Sequence, residues 1–449
     1  LIKLYNSLTH EKVDFKPLET GKVKLYTCGP TVYDSAHIGN LRAYVFNDLL
    51  KRTLIYNGYD VKHVMNITNV DDKTINGSHG VKADFDILVS KYEDKFWSDF
   101  AEINNLEPNI ITRPTEYIEK MVRFIEKLID KGYAYKTDDG SVYYSISKFA
   151  DYGKLSNLNL DELKVGARVN QDEYDKENPA DFVLWKAWDK NDGEVFWETS
   201  LGKGRPGWHI ECSVMASDNL GDTMDIHTGG IDLMFPHHEN EIAQSEAVTG
   251  KTFCNYWAHN EHLLVDNKKM SKSAHNFYTL DDVKTRGFSG LDFRYLCLQA
   301  HYRSKMNFTW EGLEAAKNAR LRLVRIIQEF GGQNGTINQV YSDQFNLKMV
   351  NDLDSSAGLA VLWELVRDET VSAADKLATI IDIDKILGLK LGQAEAEIKL
   401  TDEQIELVKQ RDEARQSGDW TKSDQLRDKL KELGVTIKDG PNGTSVLTK

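Results

Sequence analysis

The 449-residue sequence holds only four cysteines. That is too few for a disulfide scaffold in so long a chain, so the thiols are expected to be reduced. No stretch approaches the ~18 consecutive apolar residues of a membrane span, which predicts no membrane segment. The opening run, Leu1 to His10, lacks the basic and then apolar blocks of a secretory signal, so the expected location is cytoplasmic. An excess of basic charge is missing too: 56 Lys and Arg face 70 Asp and Glu, a formal net charge of −14. General nucleic-acid binders present basic surface to phosphate, so any nucleic acid must meet a local basic track. Residues 401–449 are nearly neutral, with nine basic and ten acidic side chains, which leaves the acidity in the body. There are no internal repeats or low-complexity tracts. What is present, 41% hydrophobic and 28% charged residues, fits a folded chain of about three domains at roughly 150 residues each.

The first ~70 residues read as strand, loop, helix, strand. Lys24 to Cys28 is a short β-favouring run closed by Gly29-Pro30. Leu41, Tyr44, Val45, Leu49, Leu50 and Leu54 keep helical spacing as far as Tyr56, and Gly58 is a good stop. Val61 to Ile67 alternates as a second strand. A βαβ unit predicts a parallel α/β sheet, and this one lacks a dinucleotide Gly-x-Gly-x-x-Gly fingerprint. A second α/β block covers 205–300, with a strand at Met224 to His227, a tight turn at Gly229-Gly230, and a helix opening at Pro236 and running to Val248. Between the blocks, alternation at Val142, Tyr144, Ile146 and at Phe182, Leu184, Trp185 predicts β-ribbons of an insertion. The pattern is helical from Trp310, with a break at 331–335 and a linker over 387–400. The expected organisation is a Rossmann-like sheet domain in two halves, 1–134 and 205–310, around an insertion at 135–204. A helical bundle at 311–396 and a small module at 397–449 follow.

Three sets of residues can carry chemistry. Pro30, Thr31, His37, Gly39 and Asn40 lie where a strand feeds a helix N-terminus, which offers free N–H groups to a phosphate. An ordinary strand–helix connection with a surface histidine is the plainer reading of that stretch alone. Lys269-Met270-Ser271-Lys272-Ser273 is a basic loop able to clamp a polyphosphate, or simply a solvated one. The third set is Cys28, Cys212 in Gly207-Trp208-His209-Ile210-Glu211-Cys212, and His237 with Glu241, four apart on the expected helix. Two thiolates, an imidazole and a carboxylate suit a four-ligand Zn²⁺ site. Ile242 stands where a metalloprotease helix needs its second histidine. Alternatively, Cys28 is a small core residue and His237 and Glu241 open a solvated helix. Cys254 and Cys297 have no motif around them and read as core.

The first two sets, in this order, resemble the paired HIGH and KMSKS signatures of class I aminoacyl-tRNA synthetases. Cys28 to Asp34, Gly204 to Cys212, Asp232 to Glu241, Lys269 to Ser273 and the closing Asp439 to Thr444 resemble the cysteinyl-tRNA synthetase family through nearly the whole chain. The sequence departs from the family pattern at Asn40, where HIGH ends in histidine, and at Ala274-His275-Asn276, where Leu-Gly-Asn is more usual. The resemblance implies zinc on Cys28, Cys212, His237 and Glu241, and a pocket for the cysteine substrate at Cys28, Thr68, Trp208 and Asp232. It implies ATP with Mg²⁺ at Pro30, Thr31, His37, Gly39, Asn40, Lys269 and Lys272, with His37, Asn40 and both lysines acting in catalysis. Expected partners are L-cysteine, ATP and cysteine tRNA, with the chain a monomer. Cysteine and serine differ by one atom, which steric pockets separate poorly, whereas a metal distinguishes thiolate from hydroxyl.

A capping box at Thr401 to Gln404 and a helix from Trp420 to Leu433 look like an anticodon-reading module, with a packing extension that stabilises the body as the alternative. Its near-neutral charge puts the burden on Arg411, Arg415, Lys422 and Arg427, with Trp420 for base stacking. A ligase that passes activated cysteine to an amino-sugar would share the catalytic half but lack the long tail. A non-catalytic RNA-binding relative would not need the basic loop and the metal ligands together.

Overall fold

The computed structural model describes residues 1–157, 181–270, 276–331, 335–393, 401–440 and 443–448. The βαβ unit is formed by strand Lys22–Thr27, helix Ile38–Tyr56 and strand Asp60–Asn66, the two strands parallel. The helix begins ahead of Leu41 because His37 and Asn40 close a reciprocal cap, each side chain accepting from the other's backbone N–H. A cap made of His and Asn escapes the usual Ser/Thr and Glu/Gln pattern.

A five-stranded parallel sheet runs in the order Cys254–Asn260, Met224–Gly230, Lys22–Thr27, Asp60–Asn66, Ile110–Thr112. From Lys22–Thr27 the chain winds out to one edge, then returns to that strand's other side and winds to the opposite edge. The order reverses between Lys22–Thr27 and Met224–Gly230, so the connections diverge at their carboxyl ends and leave a crevice. Val23, Leu25, Tyr26 and Ile226 are wholly buried, as a sheet covered on both faces requires.

The structure departs from two local expectations. Gly229 and Gly230 do not form a turn; they complete their strand, in register with His259 and Asn260. A Cβ at Gly229 would lie 2.7 Å from Cε1 of His238, so only glycine admits that ring. Pro236 does not open a regular helix: the Phe235–Pro236 bond is cis and Phe235 is extended. His237 sits in that irregular turn, and the regular helix runs Glu239–Thr249 to a left-handed Gly250.

The insertion is one antiparallel sheet of Ala134–Lys136, Val142–Tyr144, Phe182–Ala187, Trp197–Thr199 and Gly202–Pro206. Tyr144 stacks on Phe182 at 4.9 Å, and Arg205 pairs with Asp192 at 3.1 Å and also with Asp72 before the sheet. Helices Trp310–Glu329, Gln339–Met349, Ser355–Arg367 and Ala373–Leu387 pack Leu323, Leu362 and Ile383 into a core shared with Leu50 and Leu54 of the first helix. Part of the expected linker, 394–400, lies outside the described residues.

In the tail, Thr401 and Gln404 cap helix Asp402–Gln416, and Asp419 caps helix Trp420–Glu432. Leu407, Leu426, Leu430 and Val435 form their core, and a hairpin of Thr436–Gly440 with Gly443–Thr448 ends it. No helix among the described residues is long and apolar enough to cross a membrane.

Candidate active site

The crevice at the strand ends is a cleft of about 380 Å³. Cys28, Pro30 and Thr31 line it from the loop after the central strand, and His37, Gly39 and Asn40 from the helix start. Trp208, Asp232 and Lys269 enter from the second half of the sheet domain. Gly29 lets the loop lie flat against the neighbouring strand: a Cβ would meet the Asn66 carbonyl oxygen at 1.7 Å. Its N–H donates to Asn66 Oδ1 at 3.0 Å.

The cap settles the orientation of His37. Its Nδ1 accepts from the Asn40 N–H at 3.1 Å, so a neutral imidazole carries its proton on Nε2 and is a donor there. Burial lowers the His37 pKa, and the Asp232 carboxylate opposes that. Asn40 accepts from the His37 N–H at 3.2 Å, which gives this residue a structural task besides any contact in the cleft.

Behind Cys28 lies a buried donor set. The Cys28 and Cys212 sulfurs are 4.0 Å apart, and His237 Nε2 is 3.1 Å from Glu241 Oε1. The ligand atoms of these four residues fall within 4.8 Å of one another. Cys28, His227, His238 and Glu241 form a second, overlapping set under the same condition. Both thiols are free, and an ion ~2.3 Å from each sulfur suits their spacing. Among the described residues Glu241 Oε1 is buried without a geometrically sound hydrogen bond, a state that costs about 1–3 kcal/mol and that a cation relieves.

Burial pushes the Cys28 thiol and the Glu241 carboxyl up and the His237 and His238 imidazoles down. The thiol and the carboxyl thus favour protonated, neutral forms until a cation favours ionisation. His209 Nδ1 meets His237 Nδ1 at 2.9 Å, and Trp208 stacks on the His237 ring at 4.2 Å. That stack joins the cleft wall to the donor set.

Residues 14–318 match the family of tRNA synthetases class I (C) catalytic domains, and residues 399–446 match the cysteinyl-tRNA ligase anticodon binding domain. The chain is 46% identical to the cysteine–tRNA ligase of Chlamydia muridarum, over 99% of this chain and 98% of that protein. It is 47% identical to that of Chlamydia felis, over 99% and 97%.

The chain belongs to the cysteine–tRNA ligase family.

Its fold is that of class I synthetases. Methionyl-tRNA synthetase of Mycobacterium tuberculosis, bound by methionyl-adenylate, superposes with a TM-score of 0.58 at 12% identity, covering 83% of this chain and 90% of that one. A leucyl-tRNA synthetase of Agrobacterium radiobacter K84, in a ternary complex with tRNA, gives 0.58 at 11% identity over 97% of both chains.

Not every residue expected from the resemblance to this family reaches the cleft. Thr68 is buried and does not line it. Its N–H donates to the Pro30 carbonyl at 2.9 Å and its hydroxyl to Glu211 Oε2 at 3.2 Å, so it braces the loop from behind. Lys272 lies outside the described residues. In the anticodon domain Trp420 is 60% exposed with the Arg415 guanidinium over its ring at 5.4 Å, and Lys422 and Arg427 are exposed. Arg411 is fully buried, which removes it from the surface that RNA can touch.

The sequence reading passed over His227, His238 and His259, which crowd around the donor set with Trp257. One signal was available: six of the twelve histidines fall between 209 and 262.

Proposed function

We propose that this chain activates L-cysteine with ATP and transfers it to cysteine tRNA. The observation that carries this reading is a buried, sulfur-rich donor set reaching, through Cys28 and the Trp208–His237 stack, the same cleft that His37, Asn40 and Lys269 line. Cys28, Cys212, His237 and Glu241 would hold zinc, which when bound grips a thiolate far better than a serine hydroxyl. Of the two overlapping sets, this one has two sulfur donors and a ligating histidine braced through its other ring nitrogen by His209.

Asp232 presents a carboxylate to the substrate ammonium, and Trp208 excludes water from the side-chain end. ATP, with Mg²⁺, lies over Pro30, Thr31, Gly39 and the helix start, where N–H groups face its phosphates. The substrate carboxylate attacks the α-phosphorus in line, giving cysteinyl-adenylate and pyrophosphate. The Nε2–H of His37, the Asn40 amide, Lys269 and Lys272 stabilise charge on the phosphates. The 2′-hydroxyl of the terminal tRNA adenosine then attacks the aminoacyl carbonyl and AMP leaves. Trp420, Arg415, Lys422 and Arg427 read the anticodon in a monomeric, cytoplasmic enzyme.

Cysteine-dependent ATP–pyrophosphate exchange, with serine as control, followed by charging of cysteine tRNA, tests the reading. Exchange with cysteine alone and charging are expected. Exchange followed by transfer to an amino-sugar and not to tRNA would assign a different ligase, and no exchange would overturn the reading.

A further inference from the structure

Beside the four proposed ligands, a row of hydrogen bonds leads from Cys28 to the N-terminal segment. His238 Nε2 lies 3.5 Å from the Cys28 sulfur, His238 Nδ1 lies 2.8 Å from His259 Nε2, and His259 Nδ1 lies 2.8 Å from Ser7 Oγ. All four residues are buried, and no residue of the row serves the proposed chemistry except Cys28. Resting on the metal reading above, we infer that Ser7, His259 and His238 form a one-way hydrogen-bond chain that positions the Cys28 thiolate by donating an N–H to it.

The direction follows from counting protons. A metal-bound thiolate has no proton to give, so the hydrogen between sulfur and His238 belongs to Nε2. A neutral imidazole holding its proton on Nε2 accepts at Nδ1, so His259 donates from its own Nε2. His259 Nδ1 is then an acceptor, and the Ser7 hydroxyl supplies its hydrogen. The other groups facing His238 do not take its proton. Glu241 Oε1 is 4.0 Å from Nε2, beyond hydrogen-bond reach, and the His227 and His237 rings lie 4.4 and 5.7 Å away, centroid to centroid.

The row is also built to stay in place. The Ser7 N–H donates to the Trp257 carbonyl at 2.8 Å, the His238 ring lies against Trp257 at 5.1 Å, and Gly229 leaves the space that the ring occupies. The rival arrangement makes His238 a ligand through Nε2, in the set with His227. That forces the proton onto Nδ1 of both histidines and reverses the chain.

The two polarities are separable in the zinc-loaded, full-length protein by two-bond ¹H–¹⁵N correlation of its histidine rings. Nε2–H forms of His238 and His259 are expected; Nδ1–H forms would overturn the inference and leave the zinc reading standing. This measurement needs no substitution in the row. A competition titration against a chelator adds a second readout. H259A should weaken zinc binding about 10–100-fold, as losing a partner outside the ligand shell does elsewhere. H259Q, whose amide N–H can still donate to His238, should recover most of that loss. Equal zinc affinity in H259A and the unsubstituted chain, or no recovery in H259Q, would also overturn it. An unsubstituted chain that takes up no zinc would remove the metal reading itself, and the inference with it.

Discussion

His37 has two separable tasks, and a pair of substitutions pulls them apart. Its Nδ1 caps the first helix through the Asn40 N–H, and its ring lines the cleft with Nε2–H as the donor on offer. H37A removes both. The lost cap should cost about 1 kcal/mol, within the 0.5–2 range typical of N-caps. The lost donor should lower the turnover of cysteine-dependent pyrophosphate exchange ~10²–10³-fold, as for one preorganised N–H at a developing charge. H37N keeps a good N-cap but is too short to present the donor in the same place. Stability should therefore return close to that of the unsubstituted chain while exchange stays depressed. Urea unfolding followed by circular dichroism, with exchange rates at saturating ATP and cysteine, reads both quantities. Full exchange in H37N would remove the imidazole from the chemistry, and undiminished stability in H37A would remove the cap.

Three further outcomes are expected. C212S and H237A should lose zinc and raise the KM for cysteine much more than that for ATP, and full cysteine affinity in metal-free protein would refute the zinc role. Deleting residues 401–449 should leave cysteine activation nearly intact while charging falls severely, and W420A should act in the same direction, as an exposed stacking surface predicts; undiminished charging would exclude an anticodon role. Burial holds the His63 pKa well below its usual value, and among the described residues its Nδ1 has no partner to receive a second buried N–H. The unfolded chain therefore binds that proton first, so stability is fully present above about pH 6.5 and is lost as pH falls below it. The urea midpoint of H63Q should depend less on pH in that window, and an unchanged slope would exclude His63 as the cause.

The sheet domain was legible because its signals are local. Leu41 to Leu54 repeat at helical spacing, Val61 to Ile67 alternate, and the loop proposed to face the phosphates lies within a dozen residues of sequence. The residues proposed as ligands were legible as residue types, since two thiols with a His and a Glu are scarce in a chain of four cysteines. The Thr401–Gln404 cap was readable for the same reason, being closed within four residues.

What brings the site together was not local. Cys28 and Cys212 are 184 residues apart, one just after the central strand and the other on helix Trp208–Leu220, and meet only in the tertiary fold. The His37–Asn40 cap makes both residues part of the helix start. Burial, which pattern cannot assign to a single polar residue, decided the rest. It withdrew Arg411 from the RNA-facing surface, set Thr68 behind the cleft wall, and collected His227, His238 and His259 around the donor set. Sequence alone thus determined the elements, the chemistry on offer and the family it resembles. The tertiary structure decided which groups meet and which way their protons point, because those depend on distances between segments that the chain order leaves open.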